Sequence, residues 1–326
     1  MRQSQENLEK QILATICFFD TLEYPLTLVE IWKNLLNIQN SAFDENNVTQ
    51  IYTNPRGSIL DIQNTLEDSE RLKNMISCKR GFYFLKGNGC LVDKRLERNR
   101  IAIKKWKKVK WISSLFQMVP FVRMIAVSGN LSFSNTPRGN DLDIFIITKY
   151  GRIWATRFLM LILIYLTGFK RSPKKFKDKI CPNHFITDGS LTLSEDNLYS
   201  AILHANLVPV LDSGTLDKFK KENLWINKYL ANYPLPSSSL HQIQSSKFLR
   251  KLKHLLETIL SNHFGNWFEL ILHKVLTPIQ LKRAISLVQD KSKAEIAVNE
   301  KQIILHPRLR SQKIIEEFRR KIEERM

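Results

Sequence analysis

The sequence predicts an α+β chain, and three observations carry that reading. Two short apolar runs, 121–127 and 141–148, have the length and branched-residue content of strands. Long stretches at both ends repeat apolar residues every three or four positions, the period of helices with one buried face. The 326 residues, 43% of them hydrophobic, are ample for more than one packed unit. The order of elements divides the chain into residues 1–90, a connecting helix at 91–118, a segment of strands and helices at 119–231, and a mainly helical region at 240–326.

Leu8, Ile12, Leu13 and Phe19 place residues 5–19 on an amphipathic helix. Thr27 caps a second helix over 28–36, an Asn-rich polar insertion fills 40–57, and a third helix is expected over 58–66. Residues 72–85 read as a hairpin turning at Lys79-Arg80-Gly81. Three helices and a hairpin is the order of a winged helix, and residues 81–86 resemble its wing. Winged helices often read DNA through the third helix, but here Asp61, Glu67, Asp68 and Glu70 precede Arg71. Phosphate contacts supply most of the affinity for DNA, so acidity there favours a protein-contact or structural element over a DNA reader.

The connecting helix interleaves Lys104, Lys105, Lys107, Lys108 and Lys110 with Trp106 and Trp111. Such tryptophans can stack on bases. The spacing of Ile103, Trp106, Val109 or Lys110, and Ile112 instead predicts a buried stripe, with the lysines as the solvated face. After the two strands come a helix over 152–168, a strand over 180–187, a helix over 199–211 broken at Pro209, and a helix over 216–230. Residues 232–239 are a loop or linker. Helices follow over 245–276 and 278–288, then a short strand pair over 296–305 turning at Asn299-Glu300, and a charged helix over 310–325.

The formal net charge of +19 is unevenly placed. Residues 1–100 sum to zero, 101–190 carry +12, 191–244 carry −1 and 245–326 carry +8. Positive charge around the central strands suits a polyanionic substrate. In the C-terminal part, solvated surface lysine is an equal account. Cys17, Cys78, Cys90 and Cys181 have no zinc-type or disulfide spacing. The polar start, Met1 to Asn7, predicts no secretory signal, and a cytoplasmic location follows as the simple expectation. The apolar run 158–166 falls short of the ~20 residues a bilayer span requires, so a packed helix and no membrane partner are expected.

The most informative stretch is 124–148. An apolar strand ends at Gly129-Asn130, a polar loop follows, and Asp141 and Asp143 open the second strand. Alternation along a strand puts both carboxylates on one face. Two such groups repel each other unless a cation sits between them, and hard oxygen ligands in this arrangement suit Mg2+, which shares its shell with substrate phosphates.

At these residues the chain resembles the DNA polymerase β-like nucleotidyltransferase superfamily. Its pattern is an apolar residue, Gly, then Gly or Ser, about ten variable residues, and Asp-apolar-Asp/Glu-apolar. Here Gly129 and the segment Asp141-Leu142-Asp143-Ile144 fill both halves. Weaker likeness to bacterial nucleotidyltransferase-domain proteins continues to about residue 225, through Trp154 with Arg157, Ile180 with Asn183, and Tyr199 with Ala201. The resemblance implies a polymerase β-like mixed sheet and transfer of a nucleoside monophosphate from a nucleoside triphosphate to a hydroxyl acceptor. Asp141 and Asp143 would be the catalytic metal ligands, for one or two Mg2+ ions. Ser128, Gly129, Asn130 and Ser132 would form the phosphate-binding turn, although Ser128 and Ser132 equally suit bonds within their own loop. Asn130 and Asn140 stand where the family usually has serine. The third carboxylate of many members has no obvious counterpart. Residues 179–188 are where it belongs, but they offer Asn183, His184 and only the turn residue Asp188. The acceptor is open among small molecule, RNA and protein. The alternative reading is a non-catalytic nucleotide-sensing or DNA/protein-binding regulator on the same fold.

Overall fold

The computed structural model describes residues 2–37, 58–171, 176–193, 196–236, 240–286, 294–307 and 309–325. The Asn-rich insertion at 40–57 lies outside them. The chain opens with α1 (Arg2–Thr21) and α2 (Leu28–Lys33). Thr27 and Glu30 form a capping box at the start of α2, which satisfies amides that a free helix end would leave unpaired. Ser58 and Asp61 repeat the device for α3 (Ile59–Asp68). A short helix absent from the sequence reading follows, α4 (Glu70–Met75), capped by Ser69. It takes the first residues of the expected hairpin, which is shorter: β1 (Ile76–Lys79) pairs antiparallel with β2 (Phe82–Leu85). Arg80 and Gly81 make the turn with positive φ.

α5 (Cys90–Phe116) is the connecting helix. Trp106, Val109 and Ile112 are buried as their spacing predicts, but Ile103 is exposed; Ala102 and Lys105 are buried instead. α5 leads into β3 (Val122–Val127), the short α6 (Gly129–Ser132), β4 (Leu142–Thr148), α7 (Ile153–Leu166) and β5 (Ile180–Thr187). The helix expected over 199–211 is only α8 (Leu198–Ala205). The stretch around Pro209 is instead β6 (Val208–Asp212). Proline is tolerated there because β6 is an edge strand, paired only with β3. α9 (Thr215–Glu222) and a 3-10 turn (Leu224–Lys228) replace the single helix expected over 216–230.

In the C-terminal part, α10 (Lys247–Leu260) and α11 (His263–Ser286) break at Ser261-Asn262 rather than at Thr277, and Pro278 lies inside α11. Asn262 accepts from the Gly265 amide, the capping arrangement that starts a helix. Gly265 is required there: a Cβ would sit 1.9 Å from the Leu260 carbonyl oxygen. β7 (Ala294–Val298) and β8 (Gln302–Pro307) form the expected strand pair, and α12 (Leu309–Glu323) closes the described chain.

One six-stranded mixed sheet, ordered β6-β3-β4-β5-β8-β7, organises the structure. Only β4 and β5 are parallel; β8 and β7 extend the sheet beyond β5. On one face Ile144, Ile146 and Phe185 pack with Trp106 and Phe116 of α5 and Trp154 of α7. On the other, Met124, Phe145 and Ile147 pack with Leu216 and Phe219 of α9. A third core joins α1–α3 to Ile202 of α8 and Phe318 of α12. No helix among the described residues is long and apolar enough to cross a membrane.

Candidate active site

The alternation of β4 fixes the direction of its acids. Ile144 and Ile146 face the α5–α7 layer, so Asp143, like Phe145 and Ile147, faces the other way. Asp141 lies two residues earlier, just before the strand begins. Opposite them, β3 ends and the chain turns into α6. The Ser128 amide donates to the Asp143 carbonyl at 3.1 Å, which holds that turn against β4. Gly129 has φ +64°, and a Cβ there would lie 3.2 Å from Asp143 Oδ2. Glycine is needed at this position for its backbone and for the room it leaves the carboxylate.

The parallel partner supplies the third group. Asp143 is in register with Cys181 of β5, and ligand atoms of Asp141, Asp143 and Cys181 all lie within 4.8 Å of one another. Burial, then the charges of Asp143 and Asp141, pushes the Cys181 thiol well above its usual range, so it is neutral at ordinary pH. Arg171 spans the cluster from outside. One of its nitrogens lies 3.0 Å from Asp141 Oδ2 and donates to Cys181 Sγ at 2.9 Å. The approach to Asp141 is pinned from α5: Lys105 Nζ donates to the Asn140 carbonyl at 2.6 Å and lies 3.5 Å from Asp178. Lys108 pairs with the same Asp178 at 2.7 Å, and the Asp178 amide also donates to Asn140. Burial lowers the pKa of Lys105 and Asp178 opposes the change.

Asp141, Asp143, Ser128 and Gly129 thus come together as their spacing requires. Asn130 follows in the first turn of α6, its carbonyl accepting from the Asn135 amide. Ser132 donates to the Gly129 carbonyl at 2.8 Å, the local bond a loop serine makes. Asp188 is no third ligand. It lies past the far end of β5, roughly 20 Å of strand from Cys181, where it accepts from the Tyr150 amide and pairs with Arg123. A bulge between the Asp143 and Phe145 registers brings His184 back to the Cys181 face, but as a buried ring against Phe145 and His204. The side chain of Asn183 lies outside the described residues. Sequence reasoning missed Cys181, Arg171 and Lys105. Cys181 lies inside the segment where a third acid was expected, but its place beside Asp143 comes from the pairing of β4 with β5.

The donor set fits a divalent cation. Asp141 and Asp143 are each partly open to solvent, leaving room for water and a phosphate-bearing ligand in a shared shell. A neutral thiol is a poor partner for Mg2+, so among the described residues the two carboxylates are the ligands on offer here to a hard ion. The chain matches no family model, no curated protein and no solved structure.

Proposed function

We propose that this chain is a Mg2+-dependent nucleotidyltransferase that moves a nucleoside monophosphate from a nucleoside triphosphate to a hydroxyl acceptor. The observation that carries the reading is the convergence of Asp141 and Asp143 beside a Gly129 turn whose missing Cβ leaves Asp143 its space. The motif resemblance over 124–148 and the +12 charge of residues 101–190 support it. Asp141 and Asp143 hold the cation. When bound, Mg2+ supplies Lewis-acid stabilisation of charge on the phosphoryl oxygens. The backbone amides around Gly129 and Asn130 receive the triphosphate, as turn amides do for anions, and Ser128 borders the same turn. Arg171 pairs with Asp141, and its exposed side chain can reach phosphate charge arriving at the same place.

A second reading has a specific observation in its favour. A guanidinium bonded to Asp141 and Cys181 offsets one of the two acid charges from within the chain, as a non-catalytic nucleotide-sensing regulator would allow. Calorimetry of each nucleoside triphosphate, with and without Mg2+, on wild type and on Asp141→Asn and Asp143→Asn separates the two. Binding that needs both the metal and the aspartates supports the enzyme, and Asp143→Ala then abolishes turnover while leaving the fold intact. Retained turnover in Asp143→Ala overturns it. Nucleotide binding independent of metal and aspartates supports the regulator.

A further inference from the structure

The C-terminal helices α10 and α11 are built with their acids turned inward. Between Ser246 and Ser286 the sequence has seven Lys and Arg but only two acids, Glu257 and Glu269. Glu257 accepts from the Phe121 amide at 2.7 Å, where β3 begins. Glu269 accepts from the Trp154 and Ala155 amides at 2.9 and 2.8 Å and so caps the N-terminus of α7. These bonds fix which side of each helix faces the body, and the opposite side carries no acid.

That outer side is apolar. Phe248, Leu255 and Ile259 lie along α10; Phe264, Trp267, Ile271, Val275 and Ile279 continue along α11 at intervals of three or four residues. These side chains are 36 to 72% exposed. Exposed Lys247, Arg250, Lys251, Lys274 and Lys282 stand beside them. A contiguous exposed apolar face of this kind marks an interaction surface.

We propose that the outer face of α10 and α11 docks on an anionic lipid bilayer, lying in the headgroup plane without spanning it. Charge selects this occupant. Every exposed Asp, Glu, Lys or Arg on the two helices is basic, so a second copy of the same face would meet like charge. A nucleic acid would match the charge but not the aliphatic Leu255, Ile259, Val275 and Ile279, which cannot stack on bases. A basic helix face with Trp, Phe and Leu on its apolar side is the pattern of an interfacial helix.

The test is flotation of the full chain with vesicles of phosphatidylcholine alone or mixed with phosphatidylserine. The chain is expected to float with the mixed vesicles, to be released by salt, and to show a blue shift of fluorescence that Trp267→Phe removes. Leu255→Asp and Trp267→Asp should abolish flotation. Lys251→Gln and Lys274→Gln should each weaken it about fivefold. All four side chains are exposed, and an unchanged circular dichroism spectrum confirms that each variant is folded. Folded wild type that floats with neither vesicle overturns the proposal, as does equal, salt-independent flotation with both. A concentration-dependent dimer that Trp267→Asp dissolves also overturns it and makes the face a contact between copies.

Discussion

Gly129→Ala isolates the link between the α6 turn and Asp143. Alanine at φ +64° carries the left-handed penalty of about 1–2 kcal/mol, partly offset by an unfolded chain with less freedom. The net loss of folding stability is therefore about 1 kcal/mol. Gly81→Ala is the matched control: its φ is +75°, but no atom lies within 4 Å of a Cβ there. Both variants should lose a similar, small amount of stability in urea unfolding. They should differ at the site. The new Cβ of Gly129→Ala meets Asp143 Oδ2 at 3.2 Å, and the carboxylate must give by a few tenths of an ångström. On the proposed function, a displacement of that size in the Asp143 carboxylate should weaken Mg2+-dependent triphosphate binding about tenfold, whereas Gly81→Ala leaves it unchanged. Wild-type metal and nucleotide binding by folded Gly129→Ala would refute the argument that this glycine makes room for the site.

Three further perturbations test the frame around it. Lys105→Met takes a buried cation from the Asn140 carbonyl and from Asp178, which keeps Lys108, and should cost about 1.5–3 kcal/mol in equilibrium unfolding and, on the proposed function, loosen metal binding at Asp141. Glu269→Ala removes a charged acceptor from two α7 amides and should cost about 1.5–3 kcal/mol by the same measurement. Burial raises the Glu30 pKa, but bonds from Arg95, Tyr24 and Thr27 more than reverse this and leave it below the usual value. A lowered carboxylate pKa means stability that is present above the unfolded value of about 4.3 and lost as pH falls through the folded one. Stability measured down through pH 4 should therefore fall more steeply in wild type than in Glu30→Gln.

Where the chain is locally determined, its sequence declares the structure. Thr27 with Glu30 and Ser58 with Asp61 cap their helices, and the Asn299-Glu300 turn joins a strand pair found where expected. Misreadings arise where tertiary context decides. Pro209 signals a broken helix by local rules, yet an edge position in the sheet leaves its missing N–H harmless. Residues 72–75 suit either a strand or one helical turn, and Ser69 settles the matter by capping α4. On α5 the buried stripe runs through Ala102, Lys105, Trp106 and Val109 rather than Ile103, because the Lys105 amine reaches a carbonyl and a carboxylate across the fold.

The candidate site shows the same division within a few residues. Asp141, Asp143 and Gly129 are legible because strand alternation and glycine's backbone freedom act over adjacent positions. Cys181 is not, because its place beside Asp143 depends on a parallel pairing between β4 and β5 that brings together residues 38 apart in the chain. The Arg171 bridge and the Lys105 anchor likewise join segments that no spacing rule connects. Four parts of the chain therefore meet at the two aspartates, from α5, the α6 turn, the start of β4 and the β5 side. The contribution from β5 is a neutral thiol under a guanidinium rather than a third carboxylate. With one negative charge fewer and one positive charge more, such a site repels phosphate less and attracts a bare cation less. On the proposed function, its affinity for metal should accordingly depend on nucleotide arriving with it, which makes the combined presence of Mg2+ and triphosphate the condition under which binding is to be sought.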